Sequence, residues 1–150
     1  MFDASTLLNT DINDAGSTDF VPIPTGEYIG IIKSIDAKEV VSQKSGTPMT
    51  YHFFEVGYTI DDANVRDITG MIEPRARQSM ILDFTEAGAL DMGKGKNVQL
   101  NRLRDACAQN VPGKPWNFNM LVGQAVRVTI KHRFADDGQI FAEVKGVAKL

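Results

Sequence analysis

The chain has 150 residues, 43% of them hydrophobic and 23% charged, enough for one globular domain with a core of its own. That composition excludes a long disordered chain and a collagen-like repeat, and no uninterrupted apolar run approaches the roughly 20 residues of a membrane span. The net charge of −3 argues by itself against a polyanionic partner, but the charge is segregated: residues 1–27 hold five acids and no Lys or Arg, whereas residues 93–133 hold eight cations and one acid, Asp105.

Residues 1–20 are rich in Asp, Asn, Ser and Thr, with a short apolar patch at Leu7-Leu8, and read as an acidic arm that is mobile or loosely docked. Met1 to Ser5 lack the basic and apolar regions of a signal peptide, so the expected compartment is the cytoplasm. Val21-Pro22-Ile23-Pro24 enters the domain extended, because each proline disfavours helix at the residue before it. The domain is taken as 21–150.

A first strand is expected over Glu27 to Asp36, with Gly26 and Gly30 placed where a strand bends around a small barrel. Ser45-Gly46 signals a turn. A second strand, Met49 to Ile60, alternates, with Phe54, Val56, Tyr58 and Ile60 on one face and Tyr51, Phe53 and Glu55 on the other. Two aromatics therefore point away from the core face. Arg66 to Ile72 reads as a short strand or a loop, Gln78 to Phe84 as the third strand, and Thr85 to Lys96 as a loop with glycines at 88, 93 and 95.

Asn97 is a plausible N-cap, and Leu100, Leu103, Cys107 and Val111 follow at helical spacing up to Pro112. Two further strands, Ala125 to Phe134 and Gln139 to Val147, flank Asp136-Asp137-Gly138, a strong hairpin signal. The order is three strands, one helix, two strands, an all-β domain with one helix.

Few motifs carry chemistry. Gly88 to Gly95 nearly spells a phosphate-cradling loop, but Gly95 stands where the motif needs a Ser or Thr hydroxyl, and no alternating βα units surround it. It reads as a flexible basic loop whose Lys94 and Lys96 can touch a nucleic-acid backbone. Cys107 lies on the helix's apolar stripe as a packing thiol, and one Cys with two His is too few for an ordinary zinc site. His52 and His132 show no triad pattern. No catalytic residue, metal or cofactor is expected. In the fourth strand Val126, Val128 and Ile130 share one face, while Arg127, Lys131 and Arg133 form a basic stripe on the other. Trp116, after Gly113-Lys114-Pro115, is either a base stacker or a plug at the barrel end, the plug being slightly favoured.

Val21 to Tyr28, Phe53-Phe54-Glu55-Val56, Lys96 to Arg104 and Pro112 to Trp116 together resemble a family of small bacteriophage proteins that look like OB-fold single-stranded-DNA-binding proteins. The resemblance is diffuse, covers roughly residues 20–149 and leaves the acidic arm outside it. It implies a five-stranded OB-fold barrel with the helix between strands three and four, which agrees with the order of elements read from the residues. It further implies a non-catalytic, sequence-nonspecific protein of phage replication or recombination in the infected host cell. Its partners would be single-stranded DNA and other replication or recombination proteins. One departure is the end of the chain, where residues 143–150 carry Lys145 and Lys149 in place of an acidic tail, leaving the arm as the segment to take that role. The candidate nucleic-acid-binding residues are Tyr51, Phe53, Arg75, Arg77, Lys94, Lys96, Trp116, Arg127, Lys131 and Arg133. The rival readings are a virion component or host-factor inhibitor that uses the barrel for protein docking, and an enzyme using the Gly88–Gly95 loop.

Overall fold

Two long strands organise the chain. In the computed structural model, which describes residues 1–17 and 20–150, β1 (Gly26–Ser42) and β2 (Met49–Ile60) form an antiparallel hairpin across nearly their whole length. Gly46, at φ 78°, closes the turn, its N–H donating to the Gln43 carbonyl at 3.1 Å. β1 also pairs with β4 (Ala125–Phe134) through Gly26 to Ile31, β2 pairs with β3 (Arg75–Ile81), β4 pairs with β5 (Ile140–Ala148), and β5 meets β3 in parallel at Arg77 and Glu143. The pairing order β1-β2-β3-β5-β4 thus returns to β1 and the five-stranded sheet is closed. Gly30 makes this possible where β1 serves both neighbours: a β-carbon there would lie 2.8 Å from Val128 Cγ1.

Inside sit Ile32, Val56, Ile60, Val126, Val128 and Ile130, supplied by every second residue of their strands. Tyr58 and Gln78 are the polar pair in this interior, with the phenol donating to Gln78 Oε1 at 2.7 Å; burial, and secondarily the Cys107 thiol, pushes the phenol's pKa up. Leu100 and Leu103 of α3 (Val98–Ala106), which lies between β3 and β4 in the chain, close the core, each contributing about 1.5–3 kcal/mol by burial. A 3₁₀ turn at Phe118–Leu121 adds buried Leu121. No helix is long and apolar enough to cross a membrane among the described residues.

Several expectations are corrected. The domain is mostly β but holds more than one helix: Arg66 to Ile72 is not a strand, because Ala63–Thr69 forms α2, capped by Asp62, which accepts from Val65 N at 2.9 Å, and ended by Gly70 at φ 71°. The third strand starts at Arg75 and ends at Ile81, turning Gln78 inward because Tyr58 satisfies it. The first strand runs past Asp36 to Ser42. α3 stops at Ala106, where Ala108 turns left-handed at φ 56° and Gln109 N donates to Arg104 O at 2.7 Å, so Val111 lies outside the helix. In the arm, Ala4–Leu8 forms α1, a five-residue helix with no buried residue, capped by Asp3; Asp19 lies outside the described residues.

Candidate nucleic-acid interface

The outer face of β2 carries Tyr51 and Phe53, two residues apart and both half-buried. Across the sheet Tyr51 lies opposite Val40 of β1, and Phe53 lies between Lys38 of β1 and Ile81 of β3. Beyond Phe53 the β1–β2 hairpin projects as a two-stranded ribbon, with Val40, Val41 and Met49 exposed. Phe53 lies in a groove formed with Ser79, Ile81 and the start of α3 at Val98 and Gln99. Tyr51 lines the adjoining groove with His52, Ile81 and Phe84, the His52 and Phe84 rings meeting edge to face at 5.1 Å. The two grooves share Ile81 and Asp83, so the aromatics border one continuous surface.

Asn97 fixes the far wall of that surface. It is 4% exposed, adopts φ 50°, and uses its side chain on Asp83 and Asp91 rather than on the helix N–H groups expected of an N-cap. This corrects its expected role: the amide is a clamp that joins the end of β3, the 85–96 loop and α3. Gly95 and Asn97 form part of the Phe53 groove, and Lys94 and Lys96, both exposed, adjoin Gly95 in the chain.

Charges on the outer sheet are largely paired. Glu55 holds Lys38 at 2.8 Å and Arg77 at 3.5 Å. Glu143 holds Lys145 at 2.9 Å and Arg133, whose guanidinium also sits 4.7 Å over the Phe141 ring. The Lys145 hydrogen bond leads in holding the Glu143 carboxyl below its ordinary pKa, against burial and with help from Arg133. Arg127 meets Glu27 at 3.9 Å, an exposed pairing of little energetic weight. Among the described residues Arg75, Lys94, Lys96 and Lys131 make no ion pair.

The candidate residues fall into three places. On the β2–β3 face, Tyr51 and Phe53 lie near the α3 entrance, with Lys94 and Lys96 next to groove-lining Gly95 in the chain, whereas Arg75 and Arg77 lie farther along the same strands, opposite Thr59 and Gly57. Arg127, Lys131 and Arg133 do face outward together, but β4 has β1 and β5 as neighbours, so the stripe is not adjacent to the aromatics. Trp116 is elsewhere again: Arg104 covers one ring face at 4.4 Å, the indole N–H donates to Gln109 Oε1 at 2.9 Å, and the ring leads through Phe118 to core Phe54. That is the plug position. Residues missed from the sequence are Lys38, Val40, Ile81 and Val98, which only cross-strand register and the α3 docking bring to Tyr51 and Phe53.

His132 binds the Ile23 carbonyl at 2.8 Å, and burial pushes the Cys107 thiol up to about 11. No group of three or more His, Cys, Asp or Glu that could hold a metal occurs among the described residues. No protein-family model matches the chain, and no curated protein matches it either.

Proposed function

We propose that the chain is a non-catalytic OB-fold protein that binds single-stranded DNA without sequence specificity and serves phage DNA replication or recombination. The observation that carries this reading is the pair Tyr51 and Phe53 on the accessible face of β2, beside grooves that Gly95 and Asn97 help to line, with three cations that make no ion pair among the described residues: Lys94 and Lys96 next to Gly95 in the chain, and Arg75 farther along the same sheet opposite Thr59. Aromatics that accept any base, beside cations that follow the backbone, are what sequence-tolerant strand binding requires. The pairing order β1-β2-β3-β5-β4 with α3 between β3 and β4 supports an OB-fold barrel, whose strand-two and strand-three face is the usual oligonucleotide surface. The resemblance to the phage family agrees in direction and rests on its four sequence segments alone.

Titration of labelled single-stranded and duplex DNA and RNA at two salt concentrations tests this. Binding of single strands in preference to duplex, weakened by salt, is expected; no strand binding at low salt overturns it. A protein-docking role is the alternative, favoured by exposed Phe2, Leu7, Leu8 and Ile12 in the acidic arm. A folded chain that captures protein partners but no strand would support that alternative.

A further inference from the structure

Farther along β2 the outer sheet face is notched. Gly57 lies between Ser34 of β1 and Arg77 of β3, and a β-carbon on it would collide with the Ser34 hydroxyl. The irregular register between Ile32 and Ser34 is what turns Ser34 toward Gly57. The resulting hollow, about 420 Å³, is bordered by Ser34, Asp36, Glu55, Arg75 and Arg77 over the Gly57 floor. It lies four residues beyond Phe53 on the same strand face, about 13 Å away at the usual rise.

The chemistry of the rim selects its occupant. Two carboxylates balance two guanidinium groups, so a lone phosphate gains little there. A neutral group offering both acceptors and donors gains from each. Among the described residues Asp36 and Arg75 have no ion pair, Ser34 has no hydrogen bond from its hydroxyl, and Glu55 keeps acceptor capacity beyond Lys38 and Arg77. Guanine presents two adjacent acceptors, O6 and N7, to an arginine and two adjacent donors, N1–H and N2–H₂, to a carboxylate. No other base satisfies both groups bidentately.

We propose that the notch over Gly57 is a single-base pocket that prefers guanine. This inference rests on the single-strand reading and adds one favoured nucleotide to otherwise sequence-tolerant binding.

The test compares a short oligothymidine with the same oligomer carrying one central guanosine, inosine, 7-deazaguanosine or adenosine, by fluorescence anisotropy at fixed salt. Guanosine is expected to bind about tenfold tighter than thymidine or adenosine. Inosine, lacking the N2 amino group, and 7-deazaguanosine, lacking N7, should each lose most of that gain. In Glu55→Gln the preference should vanish while oligothymidine still binds. If oligothymidine binds and guanosine adds nothing, the pocket is overturned and the single-strand reading stands. A guanosine preference untouched by either analogue and by Glu55→Gln also overturns it. If no oligomer binds, both fail together.

Discussion

Asn97 and Asp83 exchange three hydrogen bonds: Asp83 N donates to Asn97 Oδ1 at 2.8 Å, Asn97 N donates to Asp83 Oδ2 at 3.0 Å, and Asn97 Nδ2 donates to the Asp83 carbonyl at 2.9 Å. The same amide nitrogen also reaches the Asp91 carbonyl at 2.9 Å. One left-handed residue therefore sets where the Lys94–Lys96 loop and α3 stand relative to Phe53.

Removing this clamp should be costly. Asn97→Ala leaves the Asp83 N–H and the Asp91 carbonyl without the Asn97 amide as partner, although the Asp83 carbonyl keeps the Asp91 N–H, and places at φ 50° a residue that tolerates the left-handed region less well than asparagine, so a loss of about 2–4 kcal/mol is expected by urea denaturation. Asn97→Asp keeps the size but turns a donor toward two carbonyls into a carboxylate, and should be no better. A folded Asn97→Ala protein within about 0.5 kcal/mol of the parent, on the scale of a neutral surface change, would show the clamp to be dispensable.

Trp116 is the chain's single tryptophan, so its emission reports on one place. Because Arg104 and Phe118 cover it, saturating oligonucleotide should change its intensity little, whereas Trp116→Ala should destabilise the fold by about 2–4 kcal/mol. Strong quenching on binding would show that the strand reaches the plug.

Strand limits were legible where alternation was strict. Met49–Ile60 and Ala125–Phe134 match the sequence reading because every second residue is apolar and ends in a turn signal. The third strand was displaced by three residues because its first inward residues, Ala76 and Gln78, are small or polar and mark no core face; Tyr58, which satisfies Gln78, lies twenty residues away. α2 escaped notice because seven residues with one buried side chain, Val65, leave no periodicity, and only the Asp62 and Gly70 caps betray it. The outward direction of Tyr51 and Phe53 follows from the period of two. Their neighbours Lys38 and Ile81 do not, since register is a property of the pairing.

The acidic arm carries Asp3, Asp11 and Asp14 without a compensating Lys or Arg, so if the chain binds single strands, the arm is expected to compete by charge with phosphates for the cations. Deleting residues 1–17 should tighten strand binding, most at low salt, as read by anisotropy at two ionic strengths. Unchanged or weaker affinity would assign the arm to packing or partner docking instead.

Glu143 links stability to pH. Its folded pKa is lowered, by the Lys145 hydrogen bond first, so its contribution is full above the ordinary glutamate value near 4.5 and is lost as pH falls through the lower folded value. Glu143→Gln should flatten the stability profile in that acidic window and leave Arg133 and Lys145 free for phosphates, steepening the salt dependence of binding. Identical acid profiles for variant and parent would show the pairing to be without energetic consequence.

The role of Tyr51 and Phe53 as the stacking platform is read from the affinity of Tyr51→Ala/Phe53→Ala for oligothymidine across a salt series. Stacking is worth about 1–3 kcal/mol per base and displaces few ions, so the folded double variant should bind about 2–4 kcal/mol more weakly with its slope against log salt unchanged. By contrast, Arg75→Ala/Lys94→Ala/Lys96→Ala should flatten that slope by about 2, roughly 0.7 for each phosphate no longer neutralised. A folded double aromatic variant that binds as tightly as the parent at every salt concentration would show that Tyr51 and Phe53 do not stack on the strand.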